Sequence, residues 1–147
     1  MHGLNVLSIG LIGIIFSGCL SSPSPYTKQV VKLTKGYQET PSCNNKEECT
    51  LMWGRANIWL NNHSKWKIQV SNDYIVNTYN VHKYDPSYSF TISKEPINNN
   101  SYEIKIKPIC GNHYGCDLKS SEVIGLFNKY LLTVKDEISN MDFHSIK

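Results

Sequence analysis

Several absences narrow the sequence before any motif does. The one long apolar run, Leu4 to Phe16, is interrupted by Asn5, Ser8, Gly10 and Gly13, and no later run exceeds it. It is too short for an ordinary transmembrane helix, which takes about 20 apolar residues. The chain has no Cys-x-x-Cys redox pair, no Gly-x-Ser-x-Gly, no His-Glu-x-x-His, no Walker sequence and no dinucleotide fingerprint. Charge is scarce: 18% of the residues are charged, and the formal net charge is +3. That balance is too weak to argue for nucleic acid, whose binders concentrate basic charge on one face. His63, His82, His113 and His144 stand at the ends of predicted elements, without the spacing of a metal site. No catalytic residue, no metal and no dissociable cofactor is therefore assigned.

What is present begins with an address. Leu4 to Phe16 has the length of a secretory h-region and is followed by Phe16-Ser17-Gly18-Cys19. This resembles the bacterial lipobox, with Phe16 where a branched aliphatic residue is usual. Small residues suit a peptidase that binds extended backbone at the membrane surface, and the cysteine thiol carries the diacylglycerol. The resemblance implies cleavage between Gly18 and Cys19, with residues 1–18 as signal peptide and a covalent lipid on Cys19. Each buried methylene contributes about 0.8 kcal/mol, so two or three chains on one cysteine would hold almost permanently. Leu20 follows where Asp would retain an enteric-type lipoprotein in the inner membrane. The expected location is thus the outer membrane, facing the periplasm, with the membrane as first partner through the lipid.

Five cysteines are an odd set until Cys19 is set aside. Cys43, Cys49, Cys110 and Cys116 remain, as two Cys-x5-Cys pairs. An exported chain favours disulfides, and three connectivities are open. Local pairs are preferred, because each spacing closes a short loop worth about 2.4 kcal/mol of chain entropy. The competing reading, a four-cysteine zinc site, normally has two to four intervening residues.

The rest reads as one domain. Residues 19–41 are expected to be a lipidated tether, opened by Ser21-Ser22-Pro23-Ser24-Pro25, that disfavours helix and holds the domain a few nanometres off the bilayer. Residues 42–138 are expected to be the folded part, and residues 139–147 a frayed tail. Cys49, Met52, Trp53, Ala56, Trp59 and Leu60 form one apolar stripe and predict a helix from about Lys46 to Asn62. Asn44 and Glu47 have the spacing of a capping pair. Trp53 and Trp59 are read as core residues, with ligand stacking as the alternative. Period-two runs around Trp66–Val70, Tyr88–Ile92 and Tyr102–Lys107, and the β-branched and aromatic run Tyr74–Tyr79, predict strands, with Pro96 ending the one that starts at Tyr88–Ile92. Val123, Ile124, Phe127, Tyr130, Leu131 and Val134 predict a last helix from about Ser121 to Glu137. The fold class is α+β: a three- to four-stranded antiparallel meander with both helices on one face, stapled by disulfides.

For function, a thiol catalyst would need Cys110 or Cys116 free beside His113, and a surface His within a closed loop is the preferred reading. A binding surface is left. Asn112, His113 and Tyr114 lie between flanking glycines in a loop pinned by Cys110 and Cys116, and rigid aromatic loops lose little entropy on binding. Tyr74, Tyr79, Tyr84, Tyr88 and Tyr102 crowd the strands, and alternation is expected to turn several to the open sheet face.

Cys49-x3-Trp53-x2-Ala56-x2-Trp59, Lys67-Ile68-Gln69, Thr78-Tyr79-Asn80 and Tyr114-Gly115-Cys116 before a final helix together resemble small uncharacterised lipoproteins of proteobacteria, over about residues 43–131. The resemblance implies no activity. The function expected is a non-catalytic binding module for another envelope protein or the cell wall. The alternative is an immunity or inhibitor lipoprotein against a toxin or lysozyme, and an enzyme with an unrecognised site ranks third.

Overall fold

The computed structural model describes residues 24–144, with side chains as far as Ile138. The predicted signal peptide, Cys19 and the first residues of the predicted tether lie outside the described residues. In chain order the elements are helix α1 (Pro25–Thr34), strand β1 (Ser42–Cys43), helix α2 (Lys46–His63), strands β2 (Ile68–Ser71), β3 (Ile75–Thr78), β4 (Tyr88–Asn98) and β5 (Ser101–Cys110), and helix α3 (Ser120–His144). The strands form one antiparallel sheet in the order β1-β5-β4-β3-β2. The α+β class and the meander are as expected; β1 adds a fifth strand at the far edge, and α1 adds a third helix.

Register decides which side chains are inside. Val76 faces Ile92, and Ile92 faces Ile106, so these three form one row. Phe90 and Ile104 lie on the same face, at two-residue steps. All five are buried, together with Met52, Ala56, Trp59 and Leu60 of α2 and Val123, Phe127 and Leu131 of α3. Both long helices thus cover one face. The opposite face carries Thr91, Ser93, Glu95, Glu103, Lys105 and Lys107. There Lys105 Nζ bridges Glu95 at 2.7 Å and Glu103 at 2.9 Å.

Helix α2 begins one residue later than the capping pair suggested. Asn45 is the cap, its side chain accepting from Glu48 N–H at 2.9 Å, and Glu48 Oε2 accepts from Asn44 N–H at 2.8 Å. The cap is therefore built by Asn45 and Glu48 rather than Asn44 and Glu47, with the Glu48 carboxylate reaching back one residue further, to Asn44 N–H. Glu48 also faces Lys135 Nζ of α3 at 3.6 Å, and that ammonium donates to Ser42 O at 2.7 Å. One lysine thereby joins β1, the first turn of α2 and α3.

The tether prediction is corrected from residue 24 onward. Ser24 caps α1 by accepting from Thr27 N–H, and Pro25 occupies the first helical position. Proline is at home there, since that N–H has no helical partner and its φ is already helical. Ser24-Pro25 is thus a helix start, not a spacer. Val30 and Thr34, one turn apart, are buried against α3. The approach is close: a Cβ on Gly125 would stand 2.6 Å from Thr34 Cβ. The chain stays docked beyond α1, with Asn128 Nδ2 donating to Tyr37 O and Glu39 O.

Two prolines and the tail also depart from expectation. Pro96 does not end its strand, and Pro108 sits within β5. Lys94 N–H donates to Tyr74 O, so Pro96, two residues on, turns its nitrogen to the same side, where β3 has already ended at Ile75↔Ser93. Ile104 N–H donates to Pro41 O, so Pro108 turns its nitrogen toward β1, past that short strand's last pair. Neither proline removes a ladder bond. The backbone of α3 continues to His144, beyond the Glu137 end expected for it and into the expected frayed tail, because no proline or glycine follows Gly125 to stop it.

Two measurements test this architecture. Gly125→Ala is expected to destabilise the protein by about 1–3 kcal/mol through forced separation of α1 from α3, read as a lower melting temperature and faster proteolysis after Lys35. Replacing Cys43 and Cys49 together by Ala is expected to cost more than replacing Cys110 and Cys116. Each seven-residue loop contributes about 2.4 kcal/mol, but Cys43 and Cys49 are also buried in the core. Equal losses in denaturant melts would contradict that.

Candidate functional site

The molecule has two poles. Helix α2 starts at Lys46 and ends at His63, and its 18 residues span about 27 Å. Strand β4 runs along the same direction in reverse, from Tyr88 near His63 to Lys94 near Lys46. The four cysteines pair locally, Cys43 with Cys49 and Cys110 with Cys116. With those sulfurs joined, no thiol stands beside His113.

The first pole holds the predicted binding loop. Asn112 is a turn residue: its Oδ1 accepts from Tyr114 N–H at 3.1 Å, and its carbonyl accepts from Gly115 N–H at 3.0 Å. Its side-chain oxygen thus shapes the loop, and the residue is half-buried. His113 and Tyr114 are exposed, Tyr114 at 94%. The loop leans on residues 81–84. A Cβ on Gly111 would meet Val81 Cγ1 at 2.7 Å and His82 O at 3.0 Å, so only glycine permits the approach. Tyr84, at φ 71°, holds a left-handed conformation that costs a non-glycine residue about 1 kcal/mol. It brings its ring to 6.0 Å from His113. Below, Asp85 Oδ2 takes Lys65 Nζ at 2.6 Å, Asp85 Oδ1 accepts from Ser87 N–H, and Trp66 Nε1 donates to Ser87 Oγ at 3.0 Å. Those bonds, Lys65 first and Ser87 second, lower the Asp85 pKa to about 2.

Helix α1 reaches the same pole. Tyr26 lines an apolar cleft of about 280 Å³ with Trp59, His63, Tyr88, Phe90, Leu118 and Val123. Tyr88 closes it by donating from its hydroxyl to Leu118 O at 2.7 Å. The ring of His63 stacks on Trp59 at 4.2 Å.

The second pole carries what the sequence reading missed. Lys94 lies on the inner face of β4, in line with Phe90 and Ile92. Its ammonium stands 5.5 Å from the Trp53 ring, 5.2 Å from Tyr74 and 5.4 Å from Tyr102. Among the described residues it makes no ion pair. These rings, with Lys46, Thr50, Asp73 and Asn100, line a cleft of about 400 Å³. The signal that could have found it is the lysine itself, on the buried parity of an alternating strand.

The tyrosine expectation is corrected accordingly. Tyr88 and Tyr102 are on the inner side, packed against the core, and Tyr74 joins Tyr102 around Lys94. Along β4 and β5 the open face instead carries hydroxyls and ion pairs, with Ile109 exposed at one end. The two tryptophans divide: Trp59 is buried in the core, while Trp53 is half-buried and walls the second cleft. Among the described residues no three His, Cys, Asp or Glu side chains converge as a metal site, and no helix is long and apolar enough to cross a membrane.

Comparison of the chain with protein-family models, with curated proteins and with solved structures finds no match.

The Asp85 bonds make a pH prediction. Its folded pKa is held near 2, below the ordinary value of 3.8. The stabilisation it brings is therefore complete above about pH 4 and lost as pH falls toward 2. NMR titration of the Asp85 carboxyl is expected to give that low midpoint, and Lys65→Met is expected to raise it. A midpoint unchanged by Lys65→Met would show that the lysine is not the main cause.

Proposed function

We propose that the chain is an exported lipoprotein anchored by a diacylglycerol on Cys19, and that its folded part is a non-catalytic module binding a partner in the cell envelope. The reading of Leu20 adds the outer membrane, facing the periplasm, as the location. The observation that carries the binding reading is the separation of the two poles. Tyr26, seven residues from Cys19, lines the cleft beside Leu118, whereas Trp53, Tyr74, Lys94 and Tyr102 line the cleft at the other end.

The docking of α1 changes the expected geometry of the anchor. Only residues 20–23 separate Cys19 from the Ser24 cap. At about 3.3–3.6 Å per residue, the folded part would begin within about 18 Å of the lipidated sulfur, rather than a few nanometres away. Tyr114, Tyr84 and Lys83 then fall on the bilayer side. Tyrosine, apolar with one polar tip, suits the headgroup layer, and lysine is attracted by anionic lipid. This moves the partner-binding role away from the Cys110–Cys116 loop and toward the Lys94 pole. The partner is a wall component or another envelope protein.

Mass spectrometry of the mature product is expected to find acyl chains on Cys19, and Cys19→Ala to release the protein from membranes. A photo-crosslinking residue at position 100 is expected to capture a wall or protein partner in intact cells, and one at position 114 to capture phospholipid. Capture of a partner only from position 114 would reverse the orientation, and an unmodified Cys19 would remove the anchor.

A further inference from the structure

We propose that the cleft around Lys94 is a binding site for an acidic saccharide, a sugar ring bearing a carboxylate. The inference rests on the binding-module reading and names its ligand class. It starts from a lysine in an unusual setting. Lys94 continues the inner row of Phe90 and Ile92, both buried, and lies between Ile92 and the exposed Pro96. The lysine is half-buried, and its ammonium is faced by three aromatic rings rather than by a carboxylate.

Three rings around one cation are a strong feature, because each face offers negative quadrupole to the charge. The box is already filled by the protein's own lysine, so an external cation finds it closed. What the cleft still presents is a positive charge that, among the described residues, is faced by rings and forms no ion pair. An anionic oxygen on the ligand would give that ammonium the charge-assisted hydrogen bond that rings cannot supply. Lys46, exposed at the first position of α2, lines the same cleft and also makes no ion pair among the described residues.

The rest of the lining fits a sugar ring around that carboxylate. The half-buried face of Trp53 and the exposed ring of Tyr74, 57% accessible, can stack on the C–H face of a pyranose. Asp73, Asn100 and Thr50 stand at the rim. A carboxylate, an amide and a hydroxyl together both accept from and donate to ring hydroxyls. Asp73 leaves the lining with two ammonium groups against one carboxylate, which favours one negative charge on the ligand. The cleft volume, about 400 Å³, is within the usual range for small ligands. One or two sugar rings is the size expected.

The test uses the purified full-length protein in detergent micelles. Tryptophan fluorescence is followed while a galacturonic acid trisaccharide, its methyl ester, or a disaccharide containing muramic acid is added. At least one acidic sugar is expected to bind with a saturable change, and the methyl ester of the trisaccharide at least tenfold more weakly than the free acid. Preference between the two acids tells a uronate polysaccharide from a wall glycan. Lys94→Met is expected to weaken acid binding at least tenfold with an unchanged circular dichroism spectrum, and Trp53→Phe to remove the fluorescence response. If Lys94→Met does not fold, the exposed Tyr74→Ala takes its place, with a loss of threefold or more expected. No binding of either acid at millimolar concentration, equal binding of acid and ester, or no loss in the variants overturns the proposal. A protein captured from position 100, with neither acid bound, would leave the module reading standing and remove the saccharide alone.

Discussion

The contact between Thr34 and Gly125 governs how the whole molecule can be read. It is a backbone-distance constraint: α1 lies so close to α3 that no side chain fits between them at that point. Because α1 is docked there, the chain leaves the fold beside Tyr26 and Leu118, at one defined pole. Were α1 an unattached spacer, either end of the domain could face a membrane, and no surface would have an assigned direction. Under the proposed anchor on Cys19, this docking would turn attachment into orientation. Asn128 extends it by holding the carbonyls of Tyr37 and Glu39, so the path from α1 to β1 is fixed along α3 and not free to swing.

The two disulfides act on opposite ends of this frame and do different physical work. Cys43–Cys49 ties a two-residue edge strand to the first turn of α2. A strand that short has almost no ladder energy of its own; it is held by the buried sulfurs, by Ile104 N–H on Pro41 O, and by Lys135 on Ser42 O. Cys110–Cys116 closes a loop that projects into solvent. Its packing comes from Gly111 against Val81 and His82, with Asn112 folding the turn. The same spacing in sequence therefore produces a core cross-link in one place and a display loop in the other.

How much was legible in the sequence follows from which interactions were local. The stripe Cys49, Met52, Ala56, Trp59 and Leu60, and the alternation through Phe90 and Ile92, are repeats that single elements carry by themselves, and they give the α+β class, the meander and the local cysteine pairs. The misses are non-local. Ser24-Pro25 has the composition of a linker, and only the face that Val30 and Thr34 offer to α3 makes it a helix start. Pro96 and Pro108 read as strand breakers unless one knows that β3 and β1 end before reaching them. Tyr88 and Tyr102 look like open-face residues if tyrosine is taken as half-polar, but their parity with Phe90 and Ile104 sends them inward. In the site, the loop from Cys110 to Cys116 was legible because two cysteines and two glycines mark it. The Lys94 cleft was not, because its walls come from α2, the β2–β3 turn, β4 and β5.

The energetic position of Lys94 separates structural from functional accounts of that cleft. Cation–π contacts at partly exposed sites contribute about 0.5–1 kcal/mol each. Holding the ammonium there also costs desolvation and the ordering of a long side chain, about 2 kcal/mol for the latter. A methionine in the same place would touch the same rings without placing a charge among them, and isosteric apolar replacement of buried charges is often neutral or stabilising. Stability alone therefore gives little reason for an ammonium at the end of the Phe90–Ile92 row. A ligand that brings a carboxylate changes that balance, because the desolvation is then already met and the new ion pair forms inside aromatic walls, where screening is weaker than on an open surface. The same argument explains why the ion pairs of the open face, Lys105 with Glu95 and Glu103, carry no comparable suggestion: they are exposed, mutually satisfied, and leave no charge seeking a partner.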